Sequence, residues 1–144
     1  MCNNNEDCRC IADILNTINI LQNNAECSES CLDTCDRGFL GSTTSSAFLN
    51  TRPIMLYTCC GNGTPWSMPV EKEDVTCGDV GVTCSNVFRV EKVDGCCCTF
   101  RVLARNPEAK EKCTPYVATN SFFTMNLNCC CAIRCLNDTF VDCI

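Results

Sequence analysis

The chain has 144 residues, 46% of them hydrophobic, with 19 cysteines, no histidine and a formal net charge of −6. Without histidine no Cys–His nucleophile pair can be built, and the isolated basic residues Arg52, Arg89, Arg101, Arg105 and Arg134 make neither a nucleic-acid footprint nor a polybasic membrane contact. The cysteine content is that of a small disulfide scaffold. Yet Met1–Cys8 is polar and acidic rather than a secretion leader, so the expected route is synthesis in a reducing cytosol, without a signal peptide, and oxidation afterwards.

In chain order, residues 1–36 read as a helical, cysteine-bearing arm. Ile11, Ile14, Leu15, Ile18 and Leu21 recur at helical spacing. The helix is expected to start near Asp7 or Cys8 and to end at Asn23-Asn24, with Cys10 on its apolar side. Asp13, Asn16, Thr17 and Asn19 interrupt it too often for a membrane span. Cys27, Cys31 and Cys35 repeat every four residues. On a helix they form one sulfur stripe, facing either a neighbouring subunit or the body of the same chain.

Residues 37–144 read as a β body entered through Gly38 and the Gly41–Ser46 loop. Pro53–Thr58 is a strand, Gly61–Pro65 a turn, Trp66 a cap on the core edge and Glu71–Asp74 a polar loop. Val87–Val93 and Cys98–Leu103 form a hairpin around Asp94-Gly95. A three-residue loop is the favoured register, because it sets Phe88 opposite Val102 and Val90 opposite Phe100. Residues 104–115 are a polar loop closed by Cys113-Thr114-Pro115. Phe123, Met125, Leu127 and Cys129 alternate with polar residues as a half-buried strand, and Cys131–Leu136 continues it or bends into a partner strand. Phe140, Val141, Cys143 and Ile144 make an apolar tail. The fold expected is mainly β, an antiparallel sheet or small β-sandwich behind an N-terminal helical arm, in one structural domain.

Cysteine supplies much of the apolar content, so the fold can form before oxidation and be locked by it. The candidates for disulfide or cross-link formation are Cys2, Cys8, Cys10, Cys27, Cys31, Cys35, Cys59, Cys60, Cys77, Cys84, Cys96, Cys97, Cys98, Cys113, Cys129, Cys130, Cys131, Cys135 and Cys143. Their number is odd, so one thiol at least is left for another molecule or stays free. In the runs Cys59-Cys60, Cys96-Cys97-Cys98 and Cys129-Cys130-Cys131, a strand would turn neighbouring thiols to opposite faces. One face then staples the domain while the other reaches a neighbour. Zinc binding is the alternative, through the loose spacings Cys27-x₃-Cys31 and Cys131-x₃-Cys135, in a zinc-stabilised or metal-storing module. No Cys-x-x-Cys redox motif is present. Neither catalysis nor a cofactor is expected.

Thr51–Thr58, Phe88–Glu91, Arg101–Leu103 and Cys129–Leu136 resemble corresponding blocks of the cysteine-rich spore coat proteins Y and Z and their exosporium relative, from endospore-forming bacilli. The last block is the most specific. The family carries Cys-x-Cys-Ala-Ile-Gln-Cys-Leu there, and this chain has Arg134 in place of the glutamine. The resemblance implies a structural protein of the outer spore layers, made in the mother cell cytosol. Such proteins assemble with themselves, in hexameric units of a hexagonal lattice, and with other coat or exosporium proteins, and become disulfide-linked. It carries over to Cys97, Cys129, Cys131 and Cys135, whereas Cys59, Cys60, Cys96 and Cys98 look like additions.

Overall fold

The computed structural model describes residues 8–26, 49–108, 114–142 and 144. Cys2, Cys27, Cys31, Cys35, Cys113 and Cys143 lie outside the described residues, as does the expected Gly38–Ser46 hinge. Among the described residues, one helix, α1 (Arg9–Glu26), precedes seven strands: β1 (Ile54–Thr58), β2 (Met68–Pro69), β3 (Cys84–Ser85), β4 (Phe88–Asp94), β5 (Cys97–Arg105), β6 (Tyr116–Asn126) and β7 (Cys130–Cys135). Five of the strands form one antiparallel sheet in the order β6-β5-β4-β1-β7, and β2 and β3 form a separate short ribbon. The fold is therefore mainly β with an N-terminal helix.

The β4–β5 hairpin has the expected register at its base, with Phe88 opposite Val102 and Val90 opposite Phe100. At its tip the register changes. Asp94 faces Cys97 across a two-residue turn, and the shift is taken up between Val90 and Lys92. Gly95 (φ 63°) opens that turn, where a positive φ at the first central position suits glycine. The bulge reconciles two demands: apolar pairs at the base and a tight turn at the tip.

β1 and β4 meet at a single pair, Ile54 and Phe88, and run apart from it. Beyond that point Thr58 pairs with Cys130, while Asp94 pairs with Cys97 and Cys97 with Asn126. In a flat sheet, Asn126 and Cys130 would sit on opposite edges, roughly 35 Å apart at about 3.3 Å per residue and 4.8 Å per strand. Four residues reach at most about 14 Å. The sheet therefore folds over at the Ile54–Phe88 junction. A short 3₁₀ turn, Leu127–Cys129, joins its two ends, and the Leu127 amide donates to the Cys96 carbonyl at 2.7 Å.

The core fills that fold. Ile54, Leu56, Phe88, Val90, Cys98, Phe100, Val102, Met125, Leu127 and Cys130 pack with Leu15 and Ile18 of α1. Phe123 stacks on Phe100 (centroids 5.2 Å apart) and meets Phe88 edge-on at 4.9 Å. Full burial of each of Leu15 and Ile18 is worth about 2 kcal/mol. Their stripe is narrower than the sequence pattern suggests, because Ile14 and Leu21 are 43% and 49% exposed and Cys10 is exposed beside them. The helix also runs past Asn23-Asn24 to Glu26. Its buried polar residue is Gln22, whose Nε2 donates to the Val90 carbonyl (2.9 Å) and whose Oε1 accepts from the Arg52 amide (3.0 Å). One side chain thus ties α1 to both sides of the sheet junction.

Two other expectations are corrected. The expected 104–115 loop starts two residues later than expected, since β5 extends to Arg105, while β6 begins at Tyr116 as that boundary implied. The alternation ending at Cys129 stops as strand at Asn126, where Asn126 caps the 3₁₀ turn by accepting from the Asn128 amide at 3.0 Å. The next segment bends, pairing β7 with β1 rather than prolonging β6.

Candidate functional site: thiols at the closed end of the sheet

The closed end of the sheet gathers the cysteine runs. Cys59-Cys60 leaves β1, Cys129–Cys131 enters β7, and Cys96–Cys98 enters β5. The ladder continues past β1, the Cys59 amide donating to the Cys129 carbonyl at 3.3 Å. Thr58 pairs with Cys130 but Tyr57 with Ala132, so Cys131 is the extra residue of a bulge. A bulge re-aims its side chain. Cys129 and Cys131 are exposed with Cys59 and Cys60, whereas Cys130 is buried. The Cys131 thiol is held above its ordinary pKa by desolvation and by the neighbouring Cys59 thiol, with Cys60 adding to the effect. Four exposed thiols thus gather at this end of the sheet, and Cys131 ionises less readily beside Cys59 and Cys60.

Cys130 points inward to Cys98. Burial pushes the Cys98 thiol up to about 12, with the Cys130 charge adding to it. Burial likewise pushes Cys130 up to about 11. Backbone hydrogen bonding from Ala132 and Tyr57 opposes this, and Cys131 and Cys59 reinforce it. Both thiols are neutral at ordinary pH and pack as small hydrophobes.

Among the described residues, four cysteines are already joined within the chain. Cys8–Cys96 (Cα–Cα 5.7 Å) fastens the start of α1 to the β4–β5 turn, and Cys77–Cys84 (Cα–Cα 6.0 Å) closes the β2–β3 ribbon. The remaining described thiols, Cys10, Cys97 and Cys135, are free and exposed. Cys97 lies at the same end as the cluster, opposite Asn126. Cys135 sits at the far end of β7, opposite Ile54. Its charge acts on the Arg52 guanidinium, which Asp138 holds in a two-point ion pair at 2.7 and 3.0 Å. Among the described residues, no group of three or more Cys, Asp or Glu side chains is arranged to hold a metal ion.

A family model for spore coat protein Z matches residues 1–116. This chain belongs to the spore coat protein Z family. No curated protein and no solved structure matches it. As a member of that family it is a structural protein of the spore surface that acts among other coat proteins. The matched span takes in α1, β1–β5 and the first residue of β6, and with them Cys59, Cys60 and Cys96–Cys98. The Cys129–Cys131 run, which completes the thiol cluster, follows that span. No described helix of this coat protein is long and apolar enough to cross a membrane.

Sequence reasoning missed a polar network on the sheet's other face. Arg89 is 2% exposed. Its Nε donates to Thr51 Oγ1 (2.9 Å), Nη1 to Glu91 Oε2 (3.0 Å) and Nη2 to the Asn50 carbonyl (3.2 Å). Arg101 shares Glu91 at 3.1 Å, donates to the Thr119 carbonyl and lies 4.5 Å over the Phe122 ring. The signal was Arg89-x-Glu91 facing Arg101 across a hairpin, within two of the blocks that carry the resemblance.

Proposed function

We propose that this coat protein is a self-assembling wall unit, which forms a two-dimensional lattice in the coat or exosporium and is then reinforced by disulfides between copies. The observation that carries this reading is the placement of the sulfur. Cys8–Cys96 and Cys77–Cys84 already staple the described fold, so Cys59, Cys60, Cys129 and Cys131 are surplus to it and stand together on the surface. An exposed free thiol can be joined only to another molecule or to an equally exposed neighbour. Cys135 lies at the far end of β7, away from the cluster, and joining at separate points is what an extended array requires rather than a closed dimer.

The test is oxidation of purified protein, followed by electrophoresis without reductant and mapping of non-reduced peptides. The expected outcome is a ladder of multimers that collapses on reduction, with Cys59, Cys60, Cys129 or Cys131 in the linking peptides. Serine at those four positions should remove most of the ladder while leaving Cys8–Cys96 and Cys77–Cys84 intact. Fully oxidised protein that runs only as a monomer would defeat the cross-linking reading.

A further inference from the structure

β6 is the terminal strand of the sheet, with β5 on one side and, among the described residues, no strand on the other. Its ladder with β5 fixes which main-chain groups are in use. The Leu127 amide donates to the Cys96 carbonyl, one step beyond the Asn126–Cys97 pair. Hydrogen-bonded and non-hydrogen-bonded pairs alternate along an antiparallel ladder. Asn126–Cys97, Thr124–Thr99 and Phe122–Arg101 are therefore the non-hydrogen-bonded pairs. The Thr124 and Thr99 hydroxyls meet at 2.9 Å, as the closer side chains of such a pair allow. Phe122, Thr124 and Asn126 accordingly turn their amides and carbonyls away from β5, towards the open edge.

Natural sheets guard such an edge with lysine, proline or a bulge. Tyr116–Asn126 contains no charged residue and no proline. Its bulge is confined to Thr119–Ser121, where the Thr119 hydroxyl donates to the Val102 carbonyl (2.7 Å) and accepts from the Ser121 amide (3.0 Å). Beyond it, Phe122–Asn126 keeps regular register with β5, and Phe122 is 46% exposed. The opposite edge, β7, carries Arg134 and the bulge at Cys131.

We propose that the Phe122–Asn126 edge docks on the same edge of a second copy, antiparallel, about a two-fold axis at Thr124, so that the two sheets become one. The inference rests on the wall-unit reading and names its non-covalent contact. Symmetry and charge select the occupant. The outward residues are spaced evenly about Thr124, so the axis sets Thr124 against the partner's Thr124 and Phe122 against the partner's Asn126. Every outward amide then meets a carbonyl. Copies of net charge −6 repel one another, but this strand brings no charge to the axis. Arg101, which lies over the Phe122 ring, is already paired with Glu91. On the core-facing side Phe123 lies beside the partner's Met125, a favourable sulfur–aromatic pairing. A contact of one short strand is small and weak, and a two-fold contact closes on itself. The exposed thiols remain to extend the dimer and fix it.

Residue-resolved amide hydrogen exchange tests the contact, with mass followed by light scattering from about 1 to about 100 μM protein and oxygen excluded so that no covalent link forms. The Phe122, Thr124 and Asn126 amides should exchange freely in dilute monomer and at least tenfold more slowly where dimers appear. Phe123 and Met125, bonded to β5, should be protected throughout. Thr124→Lys sets like charges across the axis and should abolish the dimer with native circular dichroism. Thr124→Cys should, on mild oxidation, give a disulfide between the two copies of position 124, because opposed Cα atoms about 5.5 Å apart are within bridging range. Dimers whose Thr124 amide still exchanges freely would overturn the proposal, as would a folded Thr124→Lys variant that dimerises like the parent, or protein that stays monomeric throughout. Full protection already in dilute monomer would overturn it too, since the chain's own residues would then cover the edge. A disulfide ladder that persists in Thr124→Lys would remove this contact and leave the wall reading standing. Edge-paired dimers that oxidation never extends would do the reverse.

Discussion

At the scale of single residues, burial decides chemistry that residue type leaves open. Cys98 and Cys130 carry the same side chain as the exposed cysteines, and burial raises their thiols to about 12 and about 11. A raised folded-state value means that the folded state holds its protons where the unfolded chain, near 9, gives them up. The stability these groups contribute is complete below about pH 9 and is lost as pH rises towards 11 and 12. The slope approaches about 1.4 kcal/mol per pH unit for each thiol. Urea denaturation of reduced protein between pH 8 and pH 11 should show this loss, and Cys98→Ala should flatten it. Gln22 is the second decisive residue. Gln22→Ala leaves the Val90 carbonyl and the Arg52 amide without their partner, a cost of about 2 kcal/mol, read as a lower urea midpoint with unchanged slope.

What the sequence disclosed at this scale was the direction of the thiols, not their partners. Alternation correctly turned Cys130 away from Cys129 and Cys131. It could not show that Cys96 meets Cys8 from 88 residues away, because a pairing of that span is a property of the closed fold. Gln22 was invisible for a similar reason. A lone amide on a helix is ordinary in sequence, and it becomes a clamp only when Val90 and Arg52 arrive beside it.

Among the elements, the β4–β5 hairpin was the most legible, because turn chemistry and apolar pairing both act over a few residues. Even there the bulge before Lys92 was hidden, since it resolves a conflict between the two signals. The β6–β7 connection was left open by its pattern, and the 3₁₀ turn decided it. Helix α1 depends on tertiary support: it buries mainly Leu15, Ile18 and Gln22, with Cys8 fixed to the hairpin tip. Closing a loop of this length lowers the entropy of the unfolded chain, and the chain-entropy estimate is about 4.5 kcal/mol. Cys8→Ala paired with Cys96→Ala should cost up to that amount in chemical denaturation, and it should cost more than the equivalent pair at Cys77 and Cys84. The shorter loop there is worth about 2.5 kcal/mol by the same relation.

For the whole molecule, a net charge of −6 sets the terms on which copies approach. Like-charged units repel over about 10 Å at 0.1 M salt, and added salt shortens that range. Assembly of reduced protein, followed by light scattering, should therefore strengthen as salt rises from about 0.02 to 0.5 M, where the Debye length shrinks. A purely charge-paired interface would weaken over the same range. The mainly β fold behind a helix was legible from period and composition. The folding-over of its sheet was not, because it follows from one backbone pair, Ile54 with Phe88, that no local pattern marks.

That single junction also governs the order in which the fold can be made. The helix leaves the ribosome first, but its cover on β4 and β7 and its anchor at Cys96 are all encoded later. β1 has its outer neighbour only when residues 130–135 emerge, and buried Val141 comes later still. Vectorial synthesis therefore cannot complete the core piece by piece. Closure waits until residues 130–141 have been made, and then comes in one concerted event.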